Sequence, residues 1–194
     1  ADELASTYSF EAAYDDALFD RIPRSNLTSD DLDYIPDDFE GDKATIRTIS
    51  LNEANRFTNL NEREIKLYRG DLDLERTDED LLYLICASRV EDDNVGLGFL
   101  EDYGLEQGAL AVSIAHDHHG IVALGKRKEE VLQAANWVID NQGGVVYVQN
   151  GEVLAGLPLP LAGLMATEDY DEVKKKIDKL ERSLRENGAS WKEP

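Results

Sequence analysis

Hydrophobic and polar positions change their spacing several times along this chain, and each change marks an element. Alternation over Ala44-Thr45-Ile46-Arg47-Thr48-Ile49 and over Glu64-Ile65-Lys66-Leu67-Tyr68-Arg69 predicts two strands with one buried face each. The continuous apolar run from Leu81 to Cys86 predicts a central strand. Gly108 to Ala115 and Gly120 to Gly125 predict two further buried strands joined by a short turn. At Lys128 the period shifts, and Val131, Leu132, Ala135, Val138 and Ile139 fall on one face of a helix that runs to Asn141. Gly143-Gly144 ends it. Val145 to Val148 and Val153 to Ala155 flank Asn150-Gly151, a strong hairpin signal. A charged helix over about Asp169 to Asn187 carries Val173, Ile177, Leu180 and Leu184, and Gly188 closes it.

Two stretches read less regularly. Residues up to about Asp42 are rich in aspartate, with a short helix predicted over Phe10 to Ile22 and stopped by Pro23. We read 1–42 as an acidic, partly helical segment, a linker or an arm that contacts a partner, and place the start of the compact domain, 43–194, at Lys43. Asn94 to Leu105, with Gly96 and Gly98 ahead of Phe99-Leu100, predicts a turn leading into a short helix. Helices interleaved with mainly antiparallel hairpins define an α/β (α+β) class: a mixed, largely antiparallel sheet with helices packed on it, not a doubly wound dinucleotide fold.

A length of 194 residues suits one well-buried core. A formal net charge of −21 repels nucleic-acid phosphates and anionic membranes, so neither is expected as a partner. Such an acidic excess fits either a protein of high-salt surroundings, where counterions screen the self-repulsion, or an ordinary acidic protein. The lone cysteine, Cys86, has no partner for a disulfide within the chain and reads as an inert core thiol in a reducing, cytoplasmic setting. The longest uncharged stretch, Val153 to Ala166, is broken by Pro158 and Pro160 and is too short to span a bilayer as a helix.

Candidate chemistry gathers at one place. All three histidines lie in His116-Asp117-His118-His119, in the predicted turn between two buried strands. Imidazole titrates near neutral pH and is a common nitrogen ligand for transition metals. His116, Asp117, His118 and His119 therefore form a candidate catalytic cluster and a candidate ligand set for a divalent metal (manganese, iron or zinc). The plainer alternative is a turn capped by Asp117, with the imidazoles stacked or solvated. Gly96-Leu97-Gly98 lacks the third glycine and the lysine of a phosphate loop, so it reads as a site of close backbone approach. The strip Leu157-Pro158-Leu159-Pro160-Leu161 is held extended by its prolines and is expected to cover a core or meet a partner domain.

Taken in order, Asn94 to Gly98, Gly108 to His119, Asn150 to Ala155 and Leu157 to Met165 resemble the C-terminal domain of the adenine deaminase family of the amidohydrolase superfamily. The most specific parts are the Ala-His-Asp-x-His block at Ala115 to His119 and the Leu-Pro-Leu-Pro-x-Ala-Gly-Leu-Met block at Leu157 to Met165. The resemblance implies an accessory domain, not itself a TIM barrel, of an enzyme that turns adenine and water into hypoxanthine and ammonia on a metal-bearing (β/α)8 barrel. It implies adenine and that barrel, as a domain or subunit, as partners, and by position-for-position match to the block it makes His116, Asp117 and His119 the candidate catalytic residues near the purine pocket; a homo-oligomer is also expected. Three histidines cannot furnish the barrel's metal site, so this chain alone is expected to be inactive. The chain departs from the pattern in two places. The usual serine and asparagine of the histidine block are His118 and Gly120, and a Glu-Arg-His-His stretch is replaced at Ala87-Ser88-Arg89-Val90. Two other readings stand beside deaminase support: a non-catalytic assembly or regulatory domain, and a small hydrolase using the histidine cluster alone.

Overall fold

The computed structural model describes residues 14–51, 58–76, 80–116 and 119–187. Eight strands form one mixed sheet: β1 (Lys43–Leu51), β2 (Thr58–Lys66), β3 (Leu81–Ala87), β4 (Val95–Glu101), β5 (Ala109–Val112), β6 (Ile121–Gly125), β7 (Gly144–Gln149) and β8 (Glu152–Pro158). Their order is β2-β1-β4-β3-β6-β5-β7-β8. Every neighbouring pair is antiparallel except β1 with β4, which run parallel. Two helices complete the fold, α1 (Lys128–Asp140) and α2 (Tyr170–Glu186). It is the mixed, largely antiparallel α+β sheet that the spacing predicts.

Each face has its own cover. On the first, α1 buries Val131, Ala134, Ala135 and Val138 against β5, β6 and β7. Ala109, Ala111 and Ala123 carry only a methyl group there, which lets the helix come close. Glu130, buried in the first turn of α1, accepts the N–H of Asn150 at 2.5 Å and ties the helix to the β7–β8 turn. That turn has φ of 51° at Asn150 and 78° at Gly151, the two positive angles of a type I′ hairpin. On the second face, α2 lies over β7 and β8, with Leu180 and Leu184 packed in one cluster with Tyr147 and Ala155. Asp169 caps α2 by accepting from the N–H of Glu172.

Three findings depart from the sequence expectations. Asn94 to Leu105 does not form a turn and helix, because Val95 to Glu101 is strand β4, zipped to β3 along Ala87↔Val95 to Leu81↔Glu101 and to β1 at Thr48 to Ser50. Pairing on both sides outweighs the two glycines. Of the helix expected over Phe10 to Ile22, residues 10–13 lie outside the described residues and the rest holds a single 3-10 turn, Asp16–Leu18. Tertiary contacts take the chain elsewhere, since Ile22 donates its N–H to Gln142 Oε1 and accepts from Gln142 Nε2, and its side chain is buried in the core. Third, Cys86 is exposed, because alternation along β3 turns it to the second face, which α2 does not reach at that point.

Residues 20–34 run across the α1 face as a strap. Leu27 and Leu32 join the core of that face, and Asn136 brackets Leu27 by accepting its N–H and donating to its carbonyl. Arg24 is 5% exposed, and its guanidinium donates to the carbonyls of Ser88, Glu91 and Asp92. The Asp92 carboxylate in turn accepts from the N–H and the hydroxyl of Ser25, and these bonds hold it below the usual carboxylate range.

Candidate functional site

The histidine turn leaves the sheet at the end of β5. Ser113 follows that strand, fully buried, and its hydroxyl fixes the exit: it donates to the carbonyl of Gly163 at 2.6 Å and accepts from the N–H of Gly144 at 2.9 Å. Gly163 belongs to the proline-rich strip, so one buried serine joins the two blocks that carry the family resemblance. The strip is held from other sides as well. Leu159 donates to the carbonyl of Gly143, Ala162 to the carbonyl of Leu18, and Arg89 Nη1 to the carbonyl of Ala162. Leu159 and Leu161 are buried, so the strip covers core as its apolar, proline-held sequence predicts. A side chain at Gly143 would bring its Cβ to 2.5 Å from Gly163 Cα, so glycine is required where strip and β7 meet.

Beyond Ser113 the chain turns outward. Ile114 and His116 are exposed, and His119 closes the turn by donating its N–H to the carbonyl of Ala115 at 2.7 Å. His119 takes φ of 46°, in the left-handed region. Its Nδ1 is shut from solvent and has no hydrogen-bond partner among the described residues. Asp117 and His118 lie outside the described residues. Among those described, no group of three or more His, Cys, Asp or Glu is placed to hold a metal ion. Of the four candidate ligands the described residues include His116 and His119, two donors where a resident metal takes three or more.

A cleft of about 310 Å³ opens at the other end of β6, lined by Tyr68, Asp71, Tyr83, Lys126 and Lys128 among others, and neither histidine is in its wall. Two of its cations are paired: Lys128 meets Asp71 at 2.8 Å and Arg127 meets Glu75 at 3.8 Å. No helix among the described residues is long and apolar enough to cross a membrane.

Sequence reasoning missed Ser113 and Arg24. The only signal for Ser113 was a polar residue closing an apolar run, and the partners of both are remote in sequence. Arg89 stood out only as part of a lost histidine stretch, whereas in the fold it braces the strip.

A one-sheet α+β domain with a buried serine junction and an outward histidine turn is the class of structure at hand. The profile of the adenine deaminase C-terminal domain matches residues 55–194, so the chain belongs to that family. The match reaches beyond the stretch from Asn94 to Met165 on which the resemblance rests, and β1 lies ahead of it. Among curated relatives, the adenine deaminase of Methanosarcina mazei is 38% identical over 149 residues, 77% of this chain and 26% of that protein. That of Clostridium botulinum is 30% identical over 186 residues, 94% of this chain and 31% of its own length. The Brucella abortus protein of the same name is 39% identical over 123 residues, 63% of this chain and 21% of its own. The chain thus spans roughly a quarter of the length of the relatives it matches.

Proposed function

We propose that this chain works as the C-terminal domain of an adenine deaminase, supporting conversion of adenine and water to hypoxanthine and ammonia together with a metal-bearing (β/α)8 barrel outside these residues. The observation that carries this reading is the junction at Ser113. It welds the histidine block to the proline-rich block and presents His116, exposed, on a turn where a second body can close over it. With Nδ1 of His119 enclosed, Nε2 is the nitrogen left to meet a purine edge. Hydrolysis and the divalent metal, whether manganese, iron or zinc, belong to the barrel. The contribution of this chain is to bound the purine pocket with His116, Asp117 and His119 and to keep bulk water out while the amine leaves.

The test is made in the complete enzyme with His116→Ala and His119→Asn, asparagine being chosen because it tolerates a left-handed φ. Turnover of adenine, followed by the absorbance change to hypoxanthine, should fall about tenfold or more while the melting temperature stays within about 2 °C. Unchanged turnover would sink the assignment.

A second reading, a non-catalytic assembly or regulatory domain, is favoured by one specific observation. Where the resemblance implies a Glu-Arg-His-His stretch, Ser88 and Arg89 are committed to structural bonds: the Ser88 hydroxyl accepts from the N–H groups of Val90 and Glu91, and Arg89 holds Ala162. An active enzyme indifferent to both histidine changes would select this reading.

A further inference from the structure

Strand β4 carries Gly96 and Gly98 side by side on the second face, opposite Cys86 and Leu84 of β3. Glycine in a strand interior weakens it, so its presence there needs a reason. The usual reasons fail here. Neither residue has positive φ. A Cβ added at Gly96 would meet only the Cys86 carbonyl oxygen, at 3.6 Å, and one at Gly98 only a Leu84 methyl, at 4.0 Å, both ordinary contacts. Nothing inside the described residues requires these positions to be bare.

The same face stays open around them. Among the described residues helix α2 packs on β7 and β8, and Leu84, Val112 and Val122 are half-buried while Cys86 is exposed. These four side chains and the two glycines form a continuous uncharged strip, by the registers Cys86↔Val122 and Val112↔Val122, in a chain of net charge −21. Thr45 and Arg47 of β1 give it a polar rim. Val112 is the last residue of β5 and Val122 the second of β6, the two strands that the histidine turn joins.

We propose that this strip, floored by Gly96 and Gly98, is where the barrel-bearing remainder of the deaminase seats, its backbone coming close enough that a methyl group on either glycine would hold it off. The proposal rests on the deaminase reading above and deepens it by naming the docking face. The occupant follows from length and charge: relatives carry about twice as much chain again, and the strip is an uncharged apolar surface adjoining the candidate histidines.

The closing experiment uses the native protein purified from its source and residues 1–194 alone. Cys86, the only cysteine of these residues, reports on the strip through its rate of maleimide labelling, read by peptide mass spectrometry. In the native deaminase labelling should slow by about tenfold or more relative to residues 1–194 alone. The double change Gly96→Ala/Gly98→Ala should leave the melting temperature of residues 1–194 unchanged or raised, yet loosen the native assembly and restore labelling. Equal labelling in an active deaminase would overturn the docking face and leave the deaminase reading standing. A native product no longer than this chain and inactive on adenine would overturn both. Protection of residues 1–194 that grows with their own concentration would assign the strip to a second copy and overturn the proposal.

Discussion

Replacing Arg24 with alanine removes the clamp between the strap and the loop after β3, and its cost can be worked from the bonds lost. The guanidinium, 5% exposed, donates to the carbonyls of Ser88 at 2.9 Å, Glu91 at 3.3 Å and Asp92 at 3.0 Å, and through Nε to that of Ser25 at 3.2 Å. A hydrogen bond from a charged donor contributes about 1.5–3 kcal/mol. Simple addition overstates the loss, because Glu91 and Asp92 are exposed and water takes over their carbonyls. Counting the Ser88 bond in full and the others in small part, with the packing of the buried stem, gives a loss of about 3 kcal/mol. For a domain of this size about 2–4 °C accompanies each kcal/mol, so the melting temperature should fall by about 6–12 °C. Arg24→Lys keeps the charge and replaces the planar fork by a single point of donation, so it should recover only part of the loss. Thermal unfolding followed by circular dichroism in molar salt, where acidic self-repulsion is screened, measures both. A melting temperature within about 2 °C of the parent for the alanine variant, or full recovery by lysine, would refute the clamp.

Alkaline pH and salt provide two further tests. Burial holds the phenols of Tyr34, Tyr83 and Tyr103 above their ordinary value and pushes that of Tyr147 up to about 12. The folded state therefore keeps protons that the unfolded chain releases. These tyrosines should leave stability flat up to the ordinary phenol value, 10.0, and lower it above that by at most about 1.4 kcal/mol per pH unit each, until the folded group itself releases its proton. A denaturant midpoint that stays level well above that pH would contradict the burial of these rings. With a net charge of −21, the melting temperature should climb steeply from low to molar salt. A flat salt profile would remove the case for a protein fitted to brine.

The legible parts of the fold are those where local pattern and tertiary packing agree. The α1 stripe at Val131, Ala135 and Val138 and the positive-φ pair Asn150-Gly151 signal the same structure at every level. β4 was illegible because its glycines carry a strong local turn signal, whereas the partners that make it a strand, Leu81 to Ala87 and Thr48 to Ser50, come from elsewhere in the chain. Ile22 misled for the same reason: helical spacing is local, but its bracket, Gln142, lies 120 residues away. Cys86 was placed in the core because a continuous apolar run cannot show which face a helix leaves bare. Of the candidate site, the position of the histidine turn between two strands was readable. Its anchoring through Ser113 to Gly163 was not, since a hydroxyl bonded to a carbonyl 50 residues away leaves no periodic trace.

The parallel pairing of β1 with β4 has its own consequence. It involves only Thr48, Ile49 and Ser50 against Phe99, Leu100 and Glu101, whereas β1 and β2 are zipped along their whole length. The hairpin is thus fastened more strongly to itself than to the sheet. Its clasp is Glu101, a buried carboxylate gripped by the Thr48 hydroxyl, Asn61 and Arg63. Such a seam divides the domain into unequal cooperative units, and the first sub-global opening of this fold is the hairpin swinging away whole, exposing the edge of β4 while β3 to β8 remain closed.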